Sequence, residues 1–347
     1  MILYPFSDDN LLETSLDRRD ALKQLTVSSA LITSPLWLPP SYAAARDRSR
    51  VVNVSRGKTG TTLKLELAKG PYPCRGGKWK DPTTYVFVPH HFRAMGDRID
   101  TVLHFHGHGS EAFDSMKRHQ LREQLVDSRQ NAILVVPQGP IRAKSSSFGK
   151  LDSNRGLINF LTDLRATLQR RKARRALKKA RIGRSTRIGV LCLSAHSGGY
   201  RAAARCATVG GYNVNEIYLF DSLYGEVAAF RDWIAARRRT NKSRKRHKLI
   251  SYYAGGKVAT ENKKLMASLE KLNISYLHDV EGKRAGTLTR KQLTRARAVF
   301  IRSRLSHGGV THDLNNLRDC LFASCLKRRL NSNWFKNKNK ARTLEPR

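Results

Sequence analysis

The sequence predicts an α/β fold, a mostly parallel sheet flanked by helices on both faces. Three observations predict it. Short β-rich apolar runs alternate with stretches of helical spacing through most of the chain. At 347 residues, 40% of them hydrophobic, the chain can bury a sizeable core. No internal repeat and no long low-complexity linker separates two cores.

Taken in order, residues 51–57 and 61–68 read as two short strands around a Gly-Lys-Thr-Gly turn, and residues 83–90 as a third that ends at Pro89. Residues 99–107 form a buried strand closing in a Gly/His loop. A helix follows over 115–129, then the strand 132–139, and helical spacing over 157–180. The apolar run 187–195 precedes an alanine-rich helix. The strand 216–222, a helix around 226–239, the strand 249–256, a helix through 261–272 and the strand 274–280 complete the alternation.

The N-terminal stretch opens on Arg18-Arg19, continues into a moderately apolar segment and exits through Ala43-Ala44-Ala45. Basic start, apolar middle and small-residue exit predict a removable export signal over residues 1–45. Its "RRDALK" core resembles a bacterial twin-arginine (Tat) signal, with Asp17 and Ala21 departing from the usual residues. That resemblance implies a periplasmic or extracellular mature protein. No apolar stretch reaches the roughly 18 residues of a spanning helix, so no transmembrane helix is expected in the mature form. Residues 46–326 are expected to form one domain, and residues 327–347 a basic tail without fixed structure.

Lys+Arg 66 against Asp+Glu 27 gives a net charge of +39. The cations cluster: no acid occurs from Leu164 to Asn215 or from Gly282 to His312, and "RRRTNKSRKRHK" lies between these windows. Each cluster alone reads as a solvated face. Together they predict affinity for an anionic envelope polymer or an acidic lipid surface. Aromatic residues are sparse in them and no nucleic-acid-binding motif is present, so sequence-specific nucleic-acid recognition is not expected. The five cysteines, Cys74, Cys192, Cys206, Cys320 and Cys325, form no CxxC pair, and Cys192 reads as core.

The chemistry centres on "VLCLSAHSGGYRAAA", where a buried strand turns into a helix at Ala195-His196-Ser197-Gly198-Gly199. A serine hydroxyl needs a base to become nucleophilic, and it needs a bend tight enough to lift it clear of its neighbours. Small residues on both sides allow that bend. The pattern resembles the nucleophile elbow of the α/β-hydrolase superfamily, Gly-x-Ser-x-Gly, with Ala195 in place of the first glycine. The likeness covers roughly residues 85–326.

The resemblance implies a three-layer sandwich, a serine hydrolase acting on an ester or less readily an amide, and no cofactor. It places Ser197 as nucleophile. The amides of Gly198 and of Gly107 or His108, in the "HFHGHG" loop, become the oxyanion donors. The acid that follows in chain order is Asp221, at the end of "IYLFD", with Glu261 as the alternative one strand later. For the base, "SRLSHGGVTHDLNNL" offers His312, which opens an apparent helix, and His307 as the alternative.

Two other readings stand beside this one. His104, His106 and His108 alternate, so on a strand they would share a side and could hold Zn²⁺ for a metal-dependent hydrolase. The downstream "GSEAFDSM" lacks the Asp and His that a metallo-β-lactamase-like site adds. Alternatively, the scaffold could be a non-catalytic polyanion-binding protein.

Overall fold

The computed structural model describes residues 48–73, 81–237, 247–281 and 286–342. The export signal expected over residues 1–45, Cys74, most of the basic run after Arg237 and the last five residues lie outside the described residues.

Among the described residues ten strands form one sheet. They are β1 (Arg50–Arg56), β2 (Gly60–Glu66), β3 (Thr83–Pro89), β4 (Arg98–Phe105), β5 (Ala132–Pro137), β6 (Arg187–His196), β7 (Glu216–Phe220), β8 (Lys248–Tyr253), β9 (Leu277–Glu281) and β10 (Ala298–Ser303). Their spatial order is β1-β2-β3-β5-β4-β6-β7-β8-β10-β9. From β5 to β9 every neighbouring pair is parallel, and β1, β2 and β3 continue the sheet antiparallel. Parallel neighbours need crossovers, and these carry the helices.

Four of those helices, α3 (Gly156–Leu168), α5 (Tyr200–Thr208), α6 (Val227–Ala235) and α7 (Gly256–Lys271), pack on one face through Phe160, Ala203, Phe230 and Leu265. Another four, α1 (Ala112–Arg118), α2 (Leu121–Asp127), α8 (Arg290–Arg295) and α9 (Asn316–Phe322), cover the other through Met116, Leu125, Leu293 and Leu321. The strand period of two sorts the side chains between these layers: Leu191, Leu193 and Ala195 of β6 face the first, Val190 and Cys192 the second. This is the α/β-hydrolase type of three-layer sandwich.

The structure refines several elements. The helix expected over 115–129 breaks into α1 and α2, because Gln120 takes a left-handed conformation (φ 49°). The long helical stretch over 157–180 becomes α3 and the short α4 (Arg171–Ala176). One strand was not anticipated. β10, "AVFIRS", lies inside the second acid-free window, is flanked by arginines and inserts between β8 and β9.

The expectation of an unstructured tail is corrected for residues 327–342. Trp334 is buried and stacks on Phe322 with ring centroids 5.1 Å apart. Arg342 is fully buried, ion-paired to Glu281 and bonded to the Tyr252 hydroxyl at 3.1 Å. A guanidinium taken out of water must meet a carboxylate, and this one closes the tail over the end of β9.

Candidate active site

Register places the site before any side chain is considered. His196, the last residue of β6, pairs with Phe220, the last of β7, while Phe105 of β4 pairs with Ala195. Ser197 and Asp221, the next residues on β6 and β7, and Gly107, two beyond the end of β4, therefore come to one sheet edge. Open parallel sheets collect functional groups at this carboxyl edge.

Ser197 sits at the sharp turn into a single 3-10 turn and α5, with φ 51°. A non-glycine residue held there costs on the order of 1–3 kcal/mol and persists only where its surroundings over-determine it. They do so here. A Cβ on Gly107 would lie 2.7 Å from the Ser197 Cβ, and one on Gly198 would lie 2.2 Å from the His108 ring. Glycine at both positions lets the two loops close on the serine. Ala195 is accommodated as a fully buried strand residue, so the first glycine of the pattern is not required. Ser197 itself is only partly buried.

Asp221 is buried and oriented. The Ala254 amide donates to its Oδ1 at 2.9 Å, and its Oδ2 lies 2.6 Å from His307 Nδ1. The adjacent Ser222 hydroxyl donates to the Ser197 carbonyl at 2.7 Å, tying the acid-bearing loop to the elbow. His307 follows β10 by four residues, and its carbonyl accepts from His196 Nε2 at 2.8 Å. The residue just before the serine therefore pins the loop that brings in this imidazole. Ser222 and His196 carry no motif of their own. Only adjacency to Asp221 and Ser197 could have marked them.

The structure does not bring the preferred base, His312, to the acid. The turn containing it is held to α2 by Gln124, whose amide donates to the Thr311 carbonyl at 3.0 Å. His312 Nε2 lies 3.3 Å from Asp313, and its ring is 5.6 Å from that of His119. It precedes α9 by four residues instead of opening a helix. Glu261, the alternative acid, lies on α7 and pairs with Lys264 at 2.8 Å.

The three alternating histidines do not converge. β4 ends at Phe105, so the alternation stops after His104. His104 is buried against Ser194 and Ser115. His106 turns the other way, donating from Nδ1 to the Gly107 carbonyl at 2.9 Å and accepting at Nε2 from the Gly139 amide at 2.9 Å. His108 is exposed and meets the Ser146 hydroxyl at 2.8 Å. Among the described residues no group of three or more His, Cys, Asp or Glu side chains is arranged to hold a metal ion. His106 has a different use. By fixing the Gly107 carbonyl it fixes the peptide plane whose other end is the His108 amide.

A stack of imidazoles runs inward from His307: His196 at 4.7 Å between centroids, His119 at 4.4 Å from His196, then His104 at 6.3 Å from His119. Burial lowers the pKa of His196 and of His106 to about 4, against the hydrogen bonds to carbonyls that oppose it. Burial, followed by the neighbouring imidazoles, pushes His119 and His104 further down.

These rings fold neutral but are protonated in the unfolded chain below about pH 6.5. Between that value and about 4 the unfolded state binds more protons, so stability is present above pH 6.5 and is lost as pH falls toward 4. Denaturant midpoints taken between pH 8 and pH 4 should decline across this window. A flat profile would mean that the rings take up protons in the fold over the same pH range as in the unfolded chain.

The class defined here is an α/β-hydrolase architecture with a serine elbow, a carboxylate and an imidazole gathered at the carboxyl edge of the sheet. No family model and no curated protein matches the sequence. Among solved structures the chain is similar to a ferulic acid esterase at 11% identity and TM-score 0.44, covering 80% of this chain and 98% of that one. It is similar to a substrate-bound fluorophosphonate-binding serine hydrolase of Staphylococcus aureus at 8% and 0.42, covering 76% and 99%. An S-formylglutathione hydrolase from Agrobacterium tumefaciens gives 8% and 0.43, covering 79% and 98%.

Proposed function

We propose that the protein is an exported serine hydrolase that cleaves an ester through a covalent acyl-enzyme, with Ser197 as nucleophile, His307 as base and Asp221 as acid. The observation that carries the reading is the 2.6 Å contact from His307 Nδ1 to Asp221 on a loop bonded to the residue preceding Ser197.

Donation from Nδ1 to the carboxylate leaves Nε2 as the basic nitrogen. As Ser197 Oγ bonds to the carbonyl carbon, its proton passes to His307 Nε2, and the resulting imidazolium is supported by Asp221. The carbonyl oxygen becomes an anion held by the amides of Gly198 and of His108 or Gly107. When the C–O bond to the leaving alcohol breaks, His307 returns the proton to that alcohol. Water deprotonated by the same nitrogen then releases the acid and regenerates the serine. The chain's own residues supply every proton movement in this sequence.

Residues 1–45 are read as the export signal, and the cation excess as a docking charge for an acidic polymer or lipid surface. One experiment addresses export and nucleophile together: fluorophosphonate labelling of protein recovered from the periplasmic or culture fraction, followed by peptide mapping. The expected product begins at Arg46 and carries the label on Ser197. Label on another residue would overturn the site, and an intact Met1 the export.

A further inference from the structure

α4 and the turn after it carry the densest run of cations among the described residues, "RRKARRALKKARIGR". Seven of its nine cations fall into two groups. Arg170 and Lys172 are structural: Arg170 donates to the Ser49 carbonyl and Lys172 to the Val51 carbonyl at 2.8 Å, fastening α4 to β1. Arg171, Arg174, Arg175, Lys178 and Arg181 instead line one open cavity of about 650 Å³. Their spacing of three and four residues stacks them on one side of the helical turns. All five are exposed, and among the described residues none is ion-paired. Like charges at this spacing repel, so the arrangement works against the folding of its own helix. A bound polyanion would reverse that.

The shape of the patch selects among anions. Arg175 and Lys178 also line a second cavity of about 310 Å³, where Arg56 and Lys179 add further donors. Two basic hollows share a ridge, which suits an extended chain rather than a single ion. Four of the five cations in the larger hollow are arginines, whose planar fork matches phosphate oxygens in pairs. Its apolar residues, Leu177 and Ile182, are each only 5% exposed and form the floor, so they cannot enter a bilayer. No aromatic ring lines the larger hollow, so nothing there can stack on bases.

We propose that the α4 ridge is a docking site for a linear phosphate-bearing polymer. The proposal rests on the reading of the cation excess as a docking charge, and it commits that charge to one place and one chemistry. The site lies against the edge strand β1, to which Arg170 and Lys172 fasten α4, whereas Ser197 follows β6, five strands further along the sheet or about 24 Å away. A polymer held there leaves the sheet edge bearing Ser197 open.

The test uses the full chain and inorganic polyphosphate in a calorimetric titration at low and at physiological salt. Arg174→Glu/Arg175→Glu/Lys178→Glu is compared with Lys257→Glu/Lys263→Glu/Lys271→Glu, an equal charge change on the exposed side of α7. The milder Arg174→Gln/Arg175→Gln/Lys178→Gln guards against misfolding, which circular dichroism would report. Both α4 variants should weaken binding at least about tenfold more than the α7 variant, with a shallower salt dependence and unchanged ester hydrolysis. Equal losses in the α4 and α7 variants would overturn the site while leaving a general docking charge intact. No binding of polyphosphate by the unaltered chain would overturn both. Tighter, α4-dependent binding to phosphatidylglycerol vesicles or to DNA would overturn the assigned polymer.

Discussion

Ser197→Ala is expected to lower kcat for ester hydrolysis by about 10⁴-fold or more while leaving KM within a small factor, because in the proposed mechanism the hydroxyl is the atom that bonds to the substrate carbonyl. What remains should come from binding and the oxyanion amides alone. Alanine inherits the left-handed backbone at φ 51° that the serine already bears, so stability is expected to change little. Thermal unfolding checks this: a well-folded variant with no turnover and no fluorophosphonate labelling is the predicted outcome. Ser194→Ala is the control, since Ser194 lies three residues earlier, inside β6, and is committed to His104. Retained turnover in Ser197→Ala would remove the nucleophile from the proposal.

The second large effect separates the two late histidines. His307→Ala should lose as much activity as Ser197→Ala, and the double variant no more than either, because the pair acts as one unit. His312→Ala should stay within about tenfold of the unaltered protein, since its imidazole reaches Asp313 and His119 rather than Asp221. The expected loss in His307→Ala cannot be blamed on a displaced loop, because the bond from His196 is to the His307 backbone carbonyl and survives the substitution. Equal losses in His307→Ala and His312→Ala would point to damage propagated through the imidazole stack. Loss in His312→Ala alone would restore it as the base.

These two histidines show how much of the site could be read in advance. Ser197 and Asp221 were legible because each directly follows a continuous apolar strand, and such a strand announces its own end. His307 was harder to place. Its strand, β10, is a short apolar run between arginines in a strongly basic stretch, so the local pattern marks only the helix beyond the loop and favours His312. The same local view joined α1 to α2 across Gln120, whose left-handed backbone leaves no mark in composition. It also took the C-terminal residues for a free tail, since nothing near Arg342 in sequence reveals Glu281 as its partner. The alternation of His104, His106 and His108 suggested one ligand-bearing side, but β4 stops at Phe105 and the three rings diverge.

The sequence by itself determined the α/β layering, the tight bend at Ser197 and the acid waiting beyond the neighbouring strand. All of these follow from local periodicity and from which residues tolerate a sharp turn. Tertiary structure alone decided which imidazole meets Asp221, that His196 holds it there, and that five arginines and lysines converge on one hollow. Those are encounters between segments, or consequences of how helical turns dock on the sheet. Their free energy depends on distances that no stretch of sequence encodes locally.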